Sequence, residues 1–229
     1  MRTIIIVTGL TEEADAFLPG RGSQCEVATL AVRSVEMAGA TVHLACAGIG
    51  KVAAATAATL LATRFDADML MVIGTAGALG PIGGDPQWLS AAIQHDYGAA
   101  RPDRFAHYDA GGWPMGPEGV TAFRGLPQPA GLALAEATIA SGDCFVECGT
   151  RAGAIRDALG ASLVDMETAA VAQAAAILDL PWCAIKAATD EANPDSAADF
   201  HTNLTATARR AAQAAERAIG MMAKDRVTG

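Results

Sequence analysis

Residues 161 to 173, "ASLVDMETAAVAQ", place two acidic side chains at the junction between two apolar segments. The pattern predicts a short buried strand that ends at Val164 and an alanine-rich helix over 166–178. Only 18% of the chain is charged, so Asp165 and Glu167 need a reason to lie at this junction. They either cap the helix or are held there for a ligand. Because the two alternate along the chain, we expect them to point in different directions, with Glu167 toward the ligand and Asp165 structural.

The same alternation of apolar strand and helix extends in both directions from this stretch. Predicted strands cover 3–8, 31–35, 41–47, 69–73, 137–141, 163–164 and 182–188, and predicted helices cover 11–17, 51–63, 151–159, 166–178 and 197–222. Most of the strands are apolar on both faces, which is typical of a mainly parallel sheet covered by helices. We therefore predict an α/β fold in a single domain over 1–222, followed by a polar tail at 223–229.

The composition excludes several classes of protein. A net charge of −9 would repel a phosphate backbone, so we expect no nucleic-acid partner. The five cysteines are odd in number and irregularly spaced, which does not fit a zinc site, and we expect no metal. The N-terminal apolar run is too short for a secretory signal, and no run reaches the ~20 residues of a membrane span. We therefore expect a cytoplasmic protein that does not bind membranes.

Polar side chains or small residues follow four of the predicted strands. These clusters are Glu12 and Glu13, the glycine-rich residues 74–77, the Asp165–Glu167 pair, and residues 189–191. Ligands of parallel α/β sheets bind beyond the carboxyl ends of the strands. The four clusters therefore predict one pocket at that edge of the sheet.

Two motifs in the chain resemble known sites but lack residues that those sites need. The segment 47–55, "AGIGKVAAA", is not a Walker A loop, because Val52 replaces the hydroxyl residue that binds magnesium. As a dinucleotide fingerprint it lacks an acid at the correct edge of the sheet, since Asp68 precedes its strand. It fits a strand-to-helix turn that lets the backbone approach a neighbour or a ligand. His95 and His107 are isolated candidate bases, because the chain has no nucleophile elbow.

Eight segments, in order and at similar spacing, resemble the nucleoside phosphorylase and nucleosidase superfamily. The 5′-methylthioadenosine/S-adenosylhomocysteine nucleosidases are the nearest pattern. The segments are 9–17 (GLTEEADAF), 47–55, 74–79 (GTAGAL), 84–85, 95–96, 141–146 (SGDCFV), 164–170 (VDMETAA) and 187–193 (AATDEAN). The resemblance implies a single three-layer α/β/α domain with a mixed, largely parallel central sheet. It also implies a homodimer, a small-molecule purine nucleoside as partner, and no cofactor.

The resemblance also implies a role for individual residues. Glu13 matches the acid that activates the attacking water, and Asp190 matches the acid that protonates the purine at N7. Glu167 matches the acid that binds the ribose hydroxyls, while Phe145 stacks on the base and the backbone of Val146 meets its edge. The other residues that the resemblance places around the substrate are Ile49, Thr75, Ala76, Gly77, Met166, Thr189 and Phe200.

These residue types suit the cleavage of an N-glycosidic bond. Positive charge develops on the sugar and negative charge on the leaving base, so Asp190 as an acid neutralises the base and Glu13 activates water. The negative charge of Glu167 favours the nearby cation. The predicted reaction is the hydrolysis of 5′-methylthioadenosine or S-adenosylhomocysteine with release of adenine.

Two other functions stay open at this point. Phosphorylases of the superfamily carry an arginine two residues before the glycine-rich turn, and Val72 occupies that position, which favours water over phosphate. A non-catalytic nucleoside-binding module is the other alternative, although Glu13, Glu167 and Asp190 are all present. Three departures from the family pattern put the accepted purine nucleoside in doubt: Lys186 in place of arginine, a poor strand match at 86–93, and an unusual 101–130 loop.

Overall fold

The computed structural model describes residues 2–81, 83–113 and 115–224. This part of the chain contains twelve strands and five helices. The strands are β1 (Arg2–Thr8), β2 (Ser23–Val27), β3 (Leu30–Met37), β4 (Ala40–Cys46), β5 (Met69–Ala78), β6 (Gln87–Gln94), β7 (Gly98–Ala100), β8 (Phe105–His107), β9 (Phe123–Arg124), β10 (Ala135–Ser141), β11 (Leu163–Asp165) and β12 (Trp182–Asp190). The helices are α1 (Thr11–Ala16), α2 (Lys51–Phe65), α3 (Gly149–Leu159), α4 (Thr168–Ile177) and α5 (Ser196–Lys224).

Ten of the strands form one mixed sheet, in the order β11-β10-β6-β12-β5-β1-β4-β3-β2, with β9 paired to β6. The central strand β5 runs parallel to β1 and to β12, and β1 runs parallel to β4. The strands β2, β3 and β4 pair antiparallel at one edge. At the other edge, β11 pairs with β10 and also with β5, so the strands β5, β12, β6, β10 and β11 close into a ring. The predicted mixed, largely parallel sheet is confirmed.

Helices cover both faces of the sheet. Successive side chains of a strand point to opposite faces, so a strand with only apolar side chains needs a cover on each side. Ile4 and Ile6 of β1 pack in a core formed with the alanines of α5. Ile5 and Val7 pack in a second core, formed with α2 and α4. The three-layer α/β/α arrangement follows from these two cores. Among the described helices, none is long and apolar enough to cross a membrane.

The structure differs from the sequence prediction at four strands and one loop. Strand β5 continues to Ala78, through the glycine-rich residues 74–77 that were expected to end it, and the short strand β7 was not predicted. The edge strand β2 was not predicted, because its side chains are mostly exposed and it lacks an apolar pattern. The segment 86–93 was expected to be a poor strand, yet β6 is a largely buried strand that pairs with β10 and β12. The long loop expected at 101–130 contains β8 and β9.

The end of the chain also differs from the prediction. Helix α5 continues to Lys224, past the predicted end of the domain at residue 222. Residues 225–229 of the predicted tail lie outside the described residues.

Candidate active site

A cavity of about 350 Å³ lies at the carboxyl ends of β1, β5, β11 and β12. It contains eleven of the twelve site residues expected from the sequence, namely Glu13, Ile49, Thr75, Ala76, Gly77, Phe145, Met166, Glu167, Thr189, Asp190 and Phe200. The twelfth, Val146, lines a small cavity of about 30 Å³ that shares Gly77, Phe145 and Asp190 with the first. The strand ends therefore bring together residues from distant parts of the chain.

Glu13 is almost completely buried on the short helix α1, and its carboxylate accepts four hydrogen bonds. Oε1 accepts from the backbone nitrogen of Thr75 at 2.7 Å and from its hydroxyl at 2.8 Å. Oε2 accepts from the backbone nitrogens of Gly9 and Leu10, each at 3.1 Å. Gly74 has a φ of +146°, and a Cβ there would collide with the Glu13 carboxylate. The carboxylate therefore requires glycine at this position of β5.

Glu167 is buried at the start of α4 and faces the start of α2. Its Oε1 accepts a hydrogen bond from the backbone nitrogen of Gly50 at 3.2 Å, where the positive end of a helix dipole favours a carboxylate. Burial raises the pKa of Glu167 to about 7, against the lowering effect of Lys186 and together with the repulsion from Asp165 and Glu13. Glu167 is therefore a carboxyl group that can change its charge near neutral pH.

Asp165 and Glu167 converge on one buried lysine, which corrects the expectation that they point in different directions. The ammonium group of Lys186 lies 3.1 Å from Asp165 Oδ2 and 3.7 Å from Glu167 Oε2. Burial alone would lower the pKa of Lys186, but Asp165, Glu13 and Glu167 raise it. The lysine side chain is fully buried and charged, so it balances the negative charge of the site.

Asp165 also connects the site to the elements around it. Its carboxylate accepts hydrogen bonds from the hydroxyls of Ser141 and Thr168, both at 2.5 Å, and from the backbone nitrogen of Thr168 at 3.1 Å. These bonds tie the end of β10 and the first turn of α4 to β11. The structural role expected for Asp165 agrees with these contacts, although Asp165 lines the cavity as well.

Asp190 is buried at the end of β12, where the register with β5 shifts between Ala188 and Asp190. A bulge of this kind re-aims the side chain that follows it. Asp190 Oδ2 accepts a hydrogen bond from the Thr189 hydroxyl at 2.8 Å, and Oδ1 accepts one from the backbone nitrogen of Ala192 at 3.0 Å. A Cβ on Gly77 would lie 3.2 Å from Oδ1, so this oxygen faces the wall that Gly77 forms.

Apolar side chains form the remaining walls of the cavity. The rings of Phe145 and Phe200 meet edge to face, with their centroids 6.0 Å apart. Phe145 and Ile49 are exposed at the mouth, whereas Thr75 and Ala76 are buried at the floor. Flat aromatic faces beside buried hydrogen-bonding groups suit a planar heterocycle with polar edges.

Neither histidine considered from the sequence lines this cavity. His95 is fully buried beside Gly142, and its two ring nitrogens have no hydrogen-bond partner among the residues that the structure describes. Burial lowers its pKa. His107 contacts the backbone oxygen of His95 at 3.2 Å. Within the described residues there is no group of three or more His, Cys, Asp or Glu side chains placed to hold a metal ion.

Sequence reasoning treated Lys186 only as a departure from the family pattern and missed its central position. A signal was present, because Lys186 is the only charged residue in the apolar segment 182–188. A charge within a strand that is buried on both faces needs a partner nearby. The partner was missed because Asp165 and Glu167 alternate along the chain and were therefore expected to point in different directions.

Comparisons with known proteins show the family of this chain. Residues 3–220 match the family model described as the phosphorylase superfamily. The 5′-methylthioadenosine/S-adenosylhomocysteine nucleosidase of Mycobacterium tuberculosis is 31% identical over 232 residues, which cover 87% of this chain and 89% of the relative.

Two solved structures share the fold. The nucleosidase of Streptococcus pneumoniae with the transition-state inhibitor MT-ImmA has a TM-score of 0.80 and 26% identity, covering 96% of this chain and 99% of that chain. A futalosine hydrolase mutant of Helicobacter pylori has a TM-score of 0.81 at 22% identity, covering 96% and 99% of the two chains. The chain therefore belongs to the phosphorylase superfamily and, within it, to the family of 5′-methylthioadenosine/S-adenosylhomocysteine nucleosidases.

Proposed function

We propose that this protein hydrolyses the N-glycosidic bond of 5′-methylthioadenosine or S-adenosylhomocysteine and releases adenine. The observation that carries the proposal is the convergence of Glu13, Glu167 and Asp190 on one cavity of about 350 Å³ with aromatic side chains beside them. These three carboxyl groups come from elements far apart in the sequence. Their meeting is difficult to explain unless the cavity binds a polar ligand, because burying carboxyl groups costs free energy.

In this proposal, the purine lies between Phe145 and the backbone at 75–77, and Asp190 donates a proton to its N7 atom. Glu167 accepts hydrogen bonds from the ribose hydroxyls. Glu13 takes a proton from the water that attacks the anomeric carbon. The Thr75 hydroxyl, which now bonds to Glu13, lies where it can also hold that water. General acid and base groups in such positions each supply typically ~10²–10⁴-fold in rate.

The charge of the cavity supports water rather than phosphate as the nucleophile. Val72, which occupies the position of the phosphorylase arginine, is a fully buried residue of β5. The ammonium group of Lys186 already faces Asp165 and Glu167. A phosphate dianion beside three carboxyl groups would lack the bidentate partner that binds it in other proteins.

The test is adenine release from 5′-methylthioadenosine, followed by chromatography in buffers with and without inorganic phosphate. We expect equal rates in the two buffers and a free thioribose product. A strict requirement for phosphate would establish a phosphorylase instead. Tight binding of the nucleoside without release of adenine by folded protein would support the non-catalytic alternative.

A panel of purine nucleosides assayed in the same way identifies the base that is accepted. We expect release of adenine from 5′-thioether nucleosides to exceed release of a 6-oxopurine. A higher rate with a 6-oxopurine nucleoside would move the assignment to a related nucleosidase.

We also propose that the enzyme is a cytoplasmic homodimer that acts in methionine salvage. Support for the dimer comes from a groove of about 350 Å³ between α2 and α4, hereafter the α2–α4 face, lined by Val52, Ala55, Gln173, Ala174 and Ile177 among others. Val52 and Ile177 are each 78% exposed. Exposed apolar side chains that cluster on two packed helices mark an interaction surface.

The cytoplasmic location is supported by the cysteines, because free thiols suit a reducing compartment.

A further inference from the structure

Proton balance requires Asp190 to be reprotonated in every catalytic cycle. When the C1′–N9 bond breaks, its electron pair goes to the purine, and Asp190 gives a proton to N7. The water oxygen bonds to C1′ and loses a proton to Glu13. Each turnover therefore leaves Asp190 ionised and Glu13 protonated. While a nucleoside is bound, its purine covers the cavity side of Asp190, so a proton that reaches Asp190 in that state has to come from another direction.

Thr189 is the side chain that connects Asp190 to a region outside the nucleoside cavity. Its Oγ1 lies 2.8 Å from Asp190 Oδ2 and 3.2 Å from the backbone oxygen of Ala76. The hydroxyl has one hydrogen, and Ala76 offers only an acceptor. With Asp190 ionised, Thr189 donates to Oδ2. With Asp190 protonated on Oδ2, Asp190 donates to Thr189, which then donates to Ala76.

The two oxygens of Asp190 consequently have different surroundings. Oδ1 lies beside Gly77, on the wall of the nucleoside cavity, and Oδ2 faces Thr189. A proton can therefore arrive at Oδ2 while Oδ1 faces the purine. Rotation of the carboxyl group about its Cβ–Cγ bond then brings the protonated oxygen to the purine side. The Thr189 hydroxyl satisfies both protonation states of Asp190 without movement of the backbone.

A polar cleft of about 390 Å³, hereafter the β12–α5 cleft, leads from solvent to this pair of residues. It shares Thr189 and Asp190 with the nucleoside cavity, and its other walls include Glu191, Asn203 and Arg210. The amide of Asn203 donates to the backbone oxygen of Thr189 at 2.8 Å and holds the end of β12 against α5. A roomy cleft with such polar walls holds water.

We infer that the β12–α5 cleft and the Thr189 hydroxyl form the route by which Asp190 regains its proton from solvent. Thr189 is then a positioning residue that relays a proton, in addition to lining the nucleoside cavity. The inference rests on the proposed function, because it takes Asp190 as the acid. It explains why a second water-accessible cleft meets the active site at this carboxyl group.

The test compares Thr189→Val, which keeps the shape and removes the hydroxyl, with Thr189→Ser, which keeps the hydroxyl. We expect Thr189→Val to lower kcat by about 10- to 100-fold, part of the ~10²–10⁴-fold that a general acid supplies. KM should change little, and Thr189→Ser should lose much less kcat than Thr189→Val. Raising the imidazole concentration at constant pH should restore kcat in Thr189→Val and leave the wild type unaffected, because the buffer acid replaces the relay.

Wild-type kcat in Thr189→Val, an equal loss in Thr189→Ser, or a loss that imidazole does not reduce would each overturn the inference. A second variant tests the cleft even if Thr189→Val fails to fold. Gly80 lines the cleft with open space around its Cα, so Gly80→Leu obstructs it and Gly80→Ala serves as the matched control. We expect a lower kcat in Gly80→Leu alone, and wild-type kcat there contradicts the route.

Asp190→Asn separates this inference from the proposed function. If Asp190→Asn still releases adenine at the wild-type rate, Asp190 is not the acid and the proposed mechanism fails. If Asp190→Asn is inactive while Thr189→Val and Gly80→Leu are fully active, Asp190 remains assigned as the acid and only the proposed proton route is wrong.

Discussion

Lys186 is the residue whose single charge holds the acidic site together. Its ammonium group contacts Asp165 and Glu167, and the charge of Glu13 also raises its pKa. Replacing a buried pair by apolar residues can be neutral, but removing one partner leaves the other charge buried alone. The stability of the fold and the geometry of the site therefore depend on the same contact.

We expect Lys186→Met to lower the free energy of unfolding by about 3–5 kcal/mol, because two buried carboxyl groups lose their counter-charge. Urea denaturation monitored by circular dichroism measures the change. Lys186→Arg is the matched control, since it keeps the charge and should lose less. Lys186→Met with the stability of the wild type would show that the ion pairs contribute little.

The raised pKa of Glu167 predicts that activity depends on pH. Burial raises its pKa to about 7, so the ribose-binding carboxylate forms only as the pH rises through that value. Since kcat/KM reports the free enzyme, it should rise with pH through about 7. Steady-state kinetics between pH 5 and pH 9 measure this limb, with the range chosen to be about two units on either side of that pKa. Glu167→Gln should be slower and should lack the limb; the same limb in that variant would assign it to another group.

The same raised pKa has an opposite consequence for stability. The folded state binds the Glu167 proton more tightly than the unfolded chain, whose value is 4.5. The stability that this proton contributes is therefore present below pH 4.5 and is lost as the pH rises toward 7.

At the scale of elements, the short helix α1 depends on a side chain from β3. Six residues are too few for a helix that is stable alone, yet α1 carries Glu13. The guanidinium group of Arg33 donates to the backbone oxygens of Ala14 and Phe17, both at 2.6 Å, and to that of Leu18 at 3.0 Å. These bonds fix the last turn of α1 and the two residues that follow it, where few backbone carbonyl groups have helical partners.

We therefore expect Arg33→Met to lower both stability and the rate of adenine release. Hydrogen bonds that involve a charged group contribute about 1.5–3 kcal/mol each, and the loss should approach the lower part of that range because Arg33 is half-exposed. Thermal unfolding and initial rates measure the two effects. Arg21→Met, which removes an exposed arginine near the same turn, is the control. An Arg33→Met protein that is less stable but has full activity would show that α1 holds Glu13 without the clamp.

The elements that the sequence predicted well were those with strong apolar patterns. Strands β1, β5 and β12 and helix α4 are largely buried, and α2 buries one face, so their patterns are set by the core. The edge strand β2 has no such pattern, and the register shift at Asp190 arises from pairing with β5, which a single segment does not show. The candidate site was predictable in its residues, through the family resemblance, but not in its charge pairing around Lys186.

At the scale of the whole molecule, the α2–α4 face tests the proposed dimer. Ile49, at the mouth of the nucleoside cavity, directly precedes α2, so an interface on this face would lie close to the active site. Burying these apolar side chains favours association, because it removes them from water.

We expect the wild type to sediment as a dimer and Val52→Glu/Ile177→Glu to sediment as a monomer, because each charge would be buried without a partner. Analytical ultracentrifugation measures both. The matched control is Leu60→Glu, which places a charge on α2 at an exposed position that does not line the groove. A monomeric wild type would contradict the proposed dimer.

The proposed mechanism requires three carboxyl groups to act on one nucleoside. A crystal structure with a non-hydrolysable analogue of 5′-methylthioadenosine tests this requirement most directly. It should place the purine N7 within hydrogen-bonding distance of Asp190, the ribose hydroxyls on Glu167, and an ordered water on Glu13. An analogue bound elsewhere, or bound in this cavity with its glycosidic bond remote from Glu13 and Asp190, would contradict the account.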